Sequence, residues 1–126
     1  MTEVNTYKLG VIEESLADSA ALEDLKPYYF SQRIENVPED TVPVWHTNEY
    51  HIPDEKIEDI CKMLSICILP TWYIHAFSEN ALFVVLCGKY FLISPERDKS
   101  WDEMIEYGTA EAEVEKHFLE NIPLHI

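Results

Sequence analysis

The alternation of apolar and polar residues is most informative in the C-terminal half of the chain. Two turn candidates, Glu79-Asn80 and Cys87-Gly88, separate three short apolar runs there. This spacing predicts an antiparallel meander of three strands, at about 71–77, 81–86 and 89–94. If both turns contain two residues, Phe77 lies opposite Leu82 and Val84 lies opposite Phe91.

Both faces of this predicted meander are apolar, whereas a sheet with one solvated face would alternate apolar and polar side chains. An apolar face left in water would be costly and prone to aggregation. We therefore expect both faces to be covered, by helices, by the N-terminal third or by a second copy of the chain. A homodimer is one of the partnerships that the sequence leaves open.

One or two further strands are predicted, at about 7–13 and 44–52. Alternate residues from Tyr7 to Val11 are apolar, and the even positions of the second segment are the more apolar set, which is expected to face the core. The stretch from Gln32 to Thr41 mixes charges with prolines and is predicted to be irregular.

Four helices are predicted, at about 20–26, 54–67, 99–107 and 111–120. In the second helix, Pro53 lies at the start, the first two turns carry acidic residues, and apolar residues recur at helical spacing. In the third, Ser100 begins a capping-box pattern with Asp98 as a competing N-cap, and Gly108 is placed to end the helix. In the fourth, Phe118 is expected to be buried.

Together these elements predict an α+β fold in a single globular domain, residues 1–126, with an antiparallel meander, one or two added strands and helices packed on the sheet. A chain of 126 residues has the size of one domain. It can bury roughly two-thirds of its unfolded surface, so it needs neither a metal nor a disulfide to fold.

The net charge is the feature of the composition that most restricts the choice of partner. There are 24 acidic and 9 basic residues, for a formal net charge of −15. Such a field repels nucleic acid and anionic lipid, so neither is expected as a partner, and it favours a basic protein. The alternative is that the acidity serves solubility alone. The longest apolar stretch, Ala81 to Cys87, is far shorter than the ~20 residues of a membrane span.

The cysteines indicate a reducing compartment. There are three, Cys61, Cys67 and Cys87, with no CxxC spacing, which argues against a disulfide framework and against a zinc site. They are expected to be buried thiols in a cytoplasmic protein. No motif in the sequence predicts a cofactor, a metal or a catalytic residue.

The candidates for a ligand-binding pocket are His46, Tyr50, Tyr73 and His75. His46 and Asn48 form a polar pair on a mainly apolar strand face, the arrangement that orients ligands in apolar pockets. His75 follows Tyr73 on a predicted sheet face and could act as a general base. The alternative, which we favour for both histidines, is a hydrogen-bonded histidine packed in the core.

The three tryptophans lie on three different elements. Trp45, Trp72 and Trp101 are therefore interpreted as core residues rather than as a ligand cage. This interpretation leaves the histidine and tyrosine side chains as the candidates for a pocket.

Four short segments of the C-terminal half form a pattern, Thr71-Trp-Tyr-Ile-His75, Leu82-Phe-Val-Val85, Gly88-Lys-Tyr-Phe91 and Ser100-Trp-Asp-Glu-Met-Ile-Glu-Tyr-Gly108. This pattern resembles a family of small uncharacterised bacterial proteins. The resemblance implies a bacterial or phage source and a cytoplasmic location. It implies no activity, so no functional residue comes from it.

Three functions are compatible with these observations. The first, which the charge and the lack of catalytic motifs favour, is a non-enzymatic protein that binds a basic protein partner, such as an immunity protein or inhibitor. The second is a small-molecule-binding module or enzyme with a pocket near His46 and His75. The third is an acidic nucleic-acid mimic of phage origin, whose carboxylates imitate phosphates.

Overall fold

A computed structural model describes residues 6–124 of the chain. These residues form an open six-stranded antiparallel sheet with four α-helices, so the predicted α+β class is confirmed. The strands are β1 (Thr6–Ile12), β2 (Tyr29–Asn36), β3 (Val44–Pro53), β4 (Ile74–Phe77), β5 (Leu82–Leu86) and β6 (Lys89–Ile93). The helices are α1 (Ala20–Leu25), α2 (Ile57–Cys67), α3 (Ser100–Ala110) and α4 (Lys116–Glu120). The order across the sheet is β2-β3-β1-β4-β5-β6.

The meander β4-β5-β6 has the predicted register. Phe77 lies opposite Leu82, and Val84 lies opposite Phe91. The two predicted strands outside the meander are also present, as β1 and β3, and β1 joins them to the meander by pairing with both β3 and β4. The earliest strand in the sequence is therefore central in the sheet.

The two faces of the sheet are covered by different helices. We call the face that carries Leu9, Tyr50 and Ala76 the α2 face, because α1 and α2 pack against it in one apolar cluster. We call the opposite face, which carries His75 and Val84, the α3 face, because α3 and α4 pack there in a second cluster. All five residues of β5 are buried, since this strand contributes to both clusters. The meander is thus covered on both faces, as predicted, by helices of its own chain.

The structure corrects the prediction of an irregular segment at 32–41. Tyr29–Asn36 form an eight-residue edge strand, β2, paired with β3, so three strands rather than one or two lie outside the meander. Every residue of β2 except Glu35 is exposed, so no apolar alternation marks it in the sequence. A shift of register between Tyr29 and Ser31 indicates a β-bulge near its start.

Two helices begin later than predicted. α2 starts at Ile57 rather than at 54, because Pro53 ends β3 and the Lys56 N–H closes a turn onto the Pro53 carbonyl (2.9 Å). α4 starts at Lys116 rather than at 111, because Glu113 adopts a left-handed backbone conformation (φ 58°) that a helix cannot contain. Phe118 of α4, expected in the core, is 53% exposed.

Helix α3 begins within one residue of its predicted start and ends three residues later than predicted. Ahead of its first residue, Asp98, the competing candidate for the cap, accepts at Oδ1 a hydrogen bond from the Ser100 N–H (2.9 Å). The helix continues past Gly108 to Ala110. The glycine serves packing instead, because a Cβ at this position would collide with the Leu119 side chain of α4. Within residues 6–124, no helix has the length and apolar character that crossing a membrane requires.

Candidate functional site

On the α3 face, a cavity of about 610 Å³ lies over β1, β2 and β3, where none of the helices in the described part of the chain covers the sheet. This volume is within the range of sites that hold small ligands or single side chains. The lining residues come from the sheet, from the β2–β3 loop and from the segment around α4. They are Gly10, Ile12, Arg33, Glu35, Asp40, Thr41, Val42, Trp45, Thr47, Thr71, Trp72, Tyr73, His75, Glu113, Val114, Glu115, Phe118 and Pro123.

Aromatic side chains form one wall of the cavity. The rings of Trp45 and Trp72 meet edge to face, with centroids 5.2 Å apart and planes inclined by 68°. The Trp45 Nε1–H donates to the Val42 carbonyl oxygen (2.7 Å), which fixes the orientation of this indole. Both indoles are only partly buried, so they present ring surface to a ligand. Tyr73 continues the wall, and its ring lies 6.0 Å from that of His75.

Carboxylates surround this aromatic wall. Glu35, Asp40, Glu113 and Glu115 come from three separate segments of the chain and all line the cavity. Arg33 is the one Lys or Arg among the lining residues, and its Nε lies 2.6 Å from Glu35 Oε1. Four carboxylates against one guanidinium give the lining a formal charge of −3. The cavity therefore combines ring faces with an excess of negative charge, and both attract cations.

Two backbone outliers lie at the cavity. Thr71 (φ 76°) and Glu113 (φ 58°) are the non-glycine residues with positive φ in the described part of the chain, and both line it. The Thr71 N–H donates to the Ala112 carbonyl oxygen (2.8 Å), so the two strained segments are tied together. A β-branched residue rarely adopts this conformation, and such strain is found at ligand sites more often than elsewhere.

The structure brings together two of the four residues that the sequence proposed for a pocket. Tyr73 and His75 both line the cavity, and the His75 ring stacks against Phe77 with centroids 5.8 Å apart. Burial raises the pKa of the Tyr73 phenol, which therefore stays protonated. His46 and Tyr50 lie on the opposite, α2 face, and neither reaches the cavity.

His46 is held in an ion pair with Glu14. Its Nδ1 lies 2.6 Å from Glu14 Oε2, and its backbone N–H donates to Glu14 Oε1 (2.7 Å). The hydrogen bond to this carboxylate raises the pKa of His46 above its ordinary value. Partial burial alone would raise the pKa of Glu14, but the hydrogen bonds from His46 outweigh burial and lower it. The pair joins the turn after β1 to the start of β3.

Tyr50 belongs to a buried polar network centred on Asn48. The Asn48 Nδ2 group donates to Glu13 Oε2 (2.8 Å) and to the Tyr50 hydroxyl oxygen (2.9 Å), and Gln32 Nε2 donates to Asn48 Oδ1 (2.7 Å). Asn48 and Tyr50 are 3% and 2% exposed. Burial raises the pKa of Tyr50. This network connects β2, β3 and the end of β1, which supports a structural role for the polar pair on this strand.

Sequence reasoning missed the tryptophans and the carboxylates of the cavity. Trp101 is a core residue, 3% exposed, but Trp45 and Trp72 meet across 27 positions of sequence, which no local pattern predicts. Glu35 belongs to the strand that was predicted to be irregular, and Glu113 to a predicted helix. Trp45 and Trp72 each lie at the second position of a predicted strand, which was the one local signal for their location.

Among residues 6–124, the cysteines and the potential metal ligands do not form a second site. Cys61, Cys67 and Cys87 are free, and burial raises the pKa of the Cys61 thiol to about 12, which suppresses its reactive thiolate form. Within the described residues, no three His, Cys, Asp or Glu side chains are grouped so that they could hold a metal ion.

Comparison with known proteins leaves the cavity as the main evidence on function. No family model matches the chain, and no match was found among curated proteins or among solved structures. The resemblance of the C-terminal half to a family of small bacterial proteins therefore stays a prediction.

Proposed function

We propose that this protein is a non-enzymatic binding protein that takes a positively charged side chain of a basic protein partner into the cavity on its α3 face. The observation that carries the proposal is the combination of an aromatic wall with four carboxylates in one cavity. A cation over an indole ring gains about 0.5–1 kcal/mol at exposed sites and about 2 kcal/mol when desolvated. The surrounding carboxylates add a Coulombic attraction that also orients the approaching partner.

A lysine side chain suits the shape of this site better than a small ion does. Its four methylene groups can pack along Trp45 and Trp72 while its ammonium group lies among the carboxylates. The carboxylates of Glu113 and Glu115 are exposed and line the cavity together with Glu35 and Asp40, so a ligand with several positive charges can contact more than one of them. This distribution favours a protein with several basic residues. The net charge of −15 would attract such a partner over a longer range.

A second candidate function is favoured by the positions of Tyr73 and His75. Both lie in the same cavity, so the site could instead bind a small molecule, with His75 as an acid or base. A free organic amine would satisfy the same aromatic and carboxylate groups. For either function we propose a bacterial, cytoplasmic protein, in keeping with its free cysteines and with the resemblance of its C-terminal half.

The experiment that tests the proposal begins with a pull-down from lysate at low and high salt, read by mass spectrometry. The captured basic protein is then titrated into purified protein, with tryptophan fluorescence as the signal from Trp45 and Trp72. We expect binding to weaken steeply as salt rises, because the attraction between exposed charges is screened. Free lysine amide and n-butylamine serve as the small-molecule arms, and binding of these as tightly as the protein would favour the second candidate.

Substitutions of residues that line the cavity test whether the partner binds there. The double substitution Glu113→Gln/Glu115→Gln is expected to weaken binding by about 3- to 10-fold, and Trp45→Phe, which narrows the aromatic wall, by about 3-fold. Glu79→Gln is the matched control, because Glu79 is an exposed carboxylate in the β4–β5 turn and does not line the cavity. Equal weakening by the control would show that only net charge matters, and the proposal would be rejected.

A further inference from the structure

β2 is an edge strand whose outer side faces no other strand in the described part of the chain. It is eight residues long, and three of its apolar side chains, Tyr29, Phe30 and Ile34, are 54%, 61% and 60% exposed. A long edge strand with exposed apolar side chains presents a row of backbone donors and acceptors that another strand can use. The opposite edge, β6, is shorter, at five residues, and three of them are at least partly buried.

The sequence of β2 is complementary to itself. When two identical strands pair antiparallel about a two-fold axis, one residue lies opposite its own copy, and the others pair symmetrically around it. With Ile34 at the centre, Arg33 lies opposite Glu35 of the second copy, and Gln32 lies opposite Asn36. Opposite charges and matched amides at directly opposed positions stabilise a sheet. Centring on Arg33 instead would place two guanidinium groups opposite each other.

The part of β2 that can pair without interruption is centred on the same residue as this register. The β-bulge between Tyr29 and Ser31 interrupts one end of the strand. At the other end, the ladder with β3 continues for one more residue, since the Val37 N–H donates to the Pro43 carbonyl oxygen (2.7 Å), and Pro38, which has no N–H, then ends the pairing. The segment between them that can pair without interruption is centred near Ile34. Charge complementarity and strand regularity therefore select the same centre.

We infer that this protein forms a homodimer in which the β2 strands of two copies pair antiparallel, centred on Ile34. The two six-stranded sheets then form one continuous sheet. The two-fold axis is perpendicular to this sheet, so the α3 faces of both copies lie on the same side. Since Arg33 and Glu35 also line the cavity, each copy contributes charged groups beside the cavity of the other.

The test is the mass of the protein in solution, measured by sedimentation equilibrium over a range of concentrations. The wild type is expected to be a dimer. Arg33→Glu and Glu35→Arg each place like charges opposite each other twice per dimer, and each is expected to raise the dissociation constant by at least about tenfold. The double variant Arg33→Glu/Glu35→Arg restores opposite charges and is expected to dimerise like the wild type. An equimolar mixture of the two single variants is expected to form heterodimers.

The controls separate an interface from a folding defect. Leu92→Lys places a charge on the other edge strand, where Leu92 is 57% exposed, and is expected to leave the dimer unchanged. The circular dichroism spectrum and urea unfolding curve of each single variant should stay close to those of the wild type, because the Arg33 side chain is 53% exposed and the Glu35 side chain, at 32%, is only partly buried. A monomeric wild type, a dimer that the single variants do not weaken, or a dimer that Leu92→Lys breaks would each overturn the inference. None of these results depends on what the cavity binds.

Discussion

The two ends of the sheet differ in how many of their faces are covered. At the meander end, all five residues of β5 are buried, because helices pack on both faces. At the other end, no residue of β2 is buried, and the α3 face of β1, β2 and β3 is open. The covered end supplies most of the apolar core, whereas the open end carries the cavity and the free edge. The doubly covered part of the sheet is thus distinct from the part that carries the proposed binding site.

The chain after β6 explains why only one end is covered on both faces. α3 and α4 span residues 100–120, and their apolar side chains meet the α3 face at β5 and β6. Leu119 packs against Gly108, so α4 folds back on α3 instead of extending over the sheet. The result is that α4 forms one wall of the cavity, where Phe118 is half-exposed, rather than a cover for β1 and β3.

The largest expected effect comes from removing apolar volume at the covered end. Leu82→Ala creates a cavity in β5, where Leu82 is fully buried, and is expected to lower the free energy of unfolding by about 2–5 kcal/mol. Ile34→Ala on the exposed strand β2 is the matched control. In protein dilute enough to be monomeric, it should change the free energy of unfolding by no more than about 0.5 kcal/mol. Urea unfolding monitored by circular dichroism measures both. Similar losses for the two variants would show that both ends contribute equally to the core.

A smaller effect is expected at the rim of the cavity. Thr71→Asn replaces a β-branched residue at φ 76° with one that tolerates this conformation, and is expected to raise the free energy of unfolding by about 1 kcal/mol. Thr109→Asn, at an exposed position inside α3, is the control. It should lower the free energy of unfolding slightly, because threonine and asparagine have similar helix propensities but the substitution removes the hydrogen bonds that the Thr109 hydroxyl donates to the Ile105 and Glu106 carbonyl oxygens. If Thr71→Asn is destabilising, the threonine side chain makes a contribution that outweighs the strain.

The smallest effect, which depends on pH, is expected at the Glu14–His46 pair of the open end. Because the folded pKa of His46 is raised, its contribution is complete below the unfolded pKa, about 6.5, and is lost as pH rises through the folded value. Because the folded pKa of Glu14 is lowered, its contribution is present above its unfolded pKa and is lost as pH falls through the folded value. The pair is therefore most effective between about pH 5 and 6.5.

Unfolding curves of the wild type and of His46→Gln at a series of pH values measure this effect. We expect the difference in stability between the two proteins to be largest in that window and to shrink toward pH 9. His117→Gln serves as the control, because His117 and its neighbour Glu115 are 64% and 71% exposed. A difference that stays constant from pH 5 to pH 9 would contradict the assignment of the ion pair.

The meander could be predicted because its signals are local. Two short turns fix the register of three strands, so Phe77 opposite Leu82 follows from counting residues. β2 could not be predicted in this way, because a strand that buries nothing has no reason to alternate apolar and polar residues. The sequence also does not show that the helix is interrupted at Glu113, because a single residue with left-handed backbone leaves the helical spacing of the apolar residues around it unchanged.

The candidate site was predicted only in part because its geometry depends on how distant strands pair. Tyr73 and His75 share a face by the two-residue period of a strand. Whether Tyr50 joins them depends on β1, which lies between β3 and β4. Leu9 pairs with both Tyr50 and Ala76, so Tyr50 shares a face with Ala76 and not with His75. No pattern within one strand contains this information.

The central position of β1 has a consequence for synthesis of the protein. β1 is the earliest of the six strands to be made, but its partners β3 and β4 begin at Val44 and Ile74. At about 5–20 residues per second, the last partner emerges roughly 3–12 seconds after β1 is complete. β3 is complete earlier, at Pro53, so only the side of β1 that later pairs with β4 stays unpaired for the whole interval. The nascent chain therefore exposes a strand edge that lies inside the sheet of the folded protein.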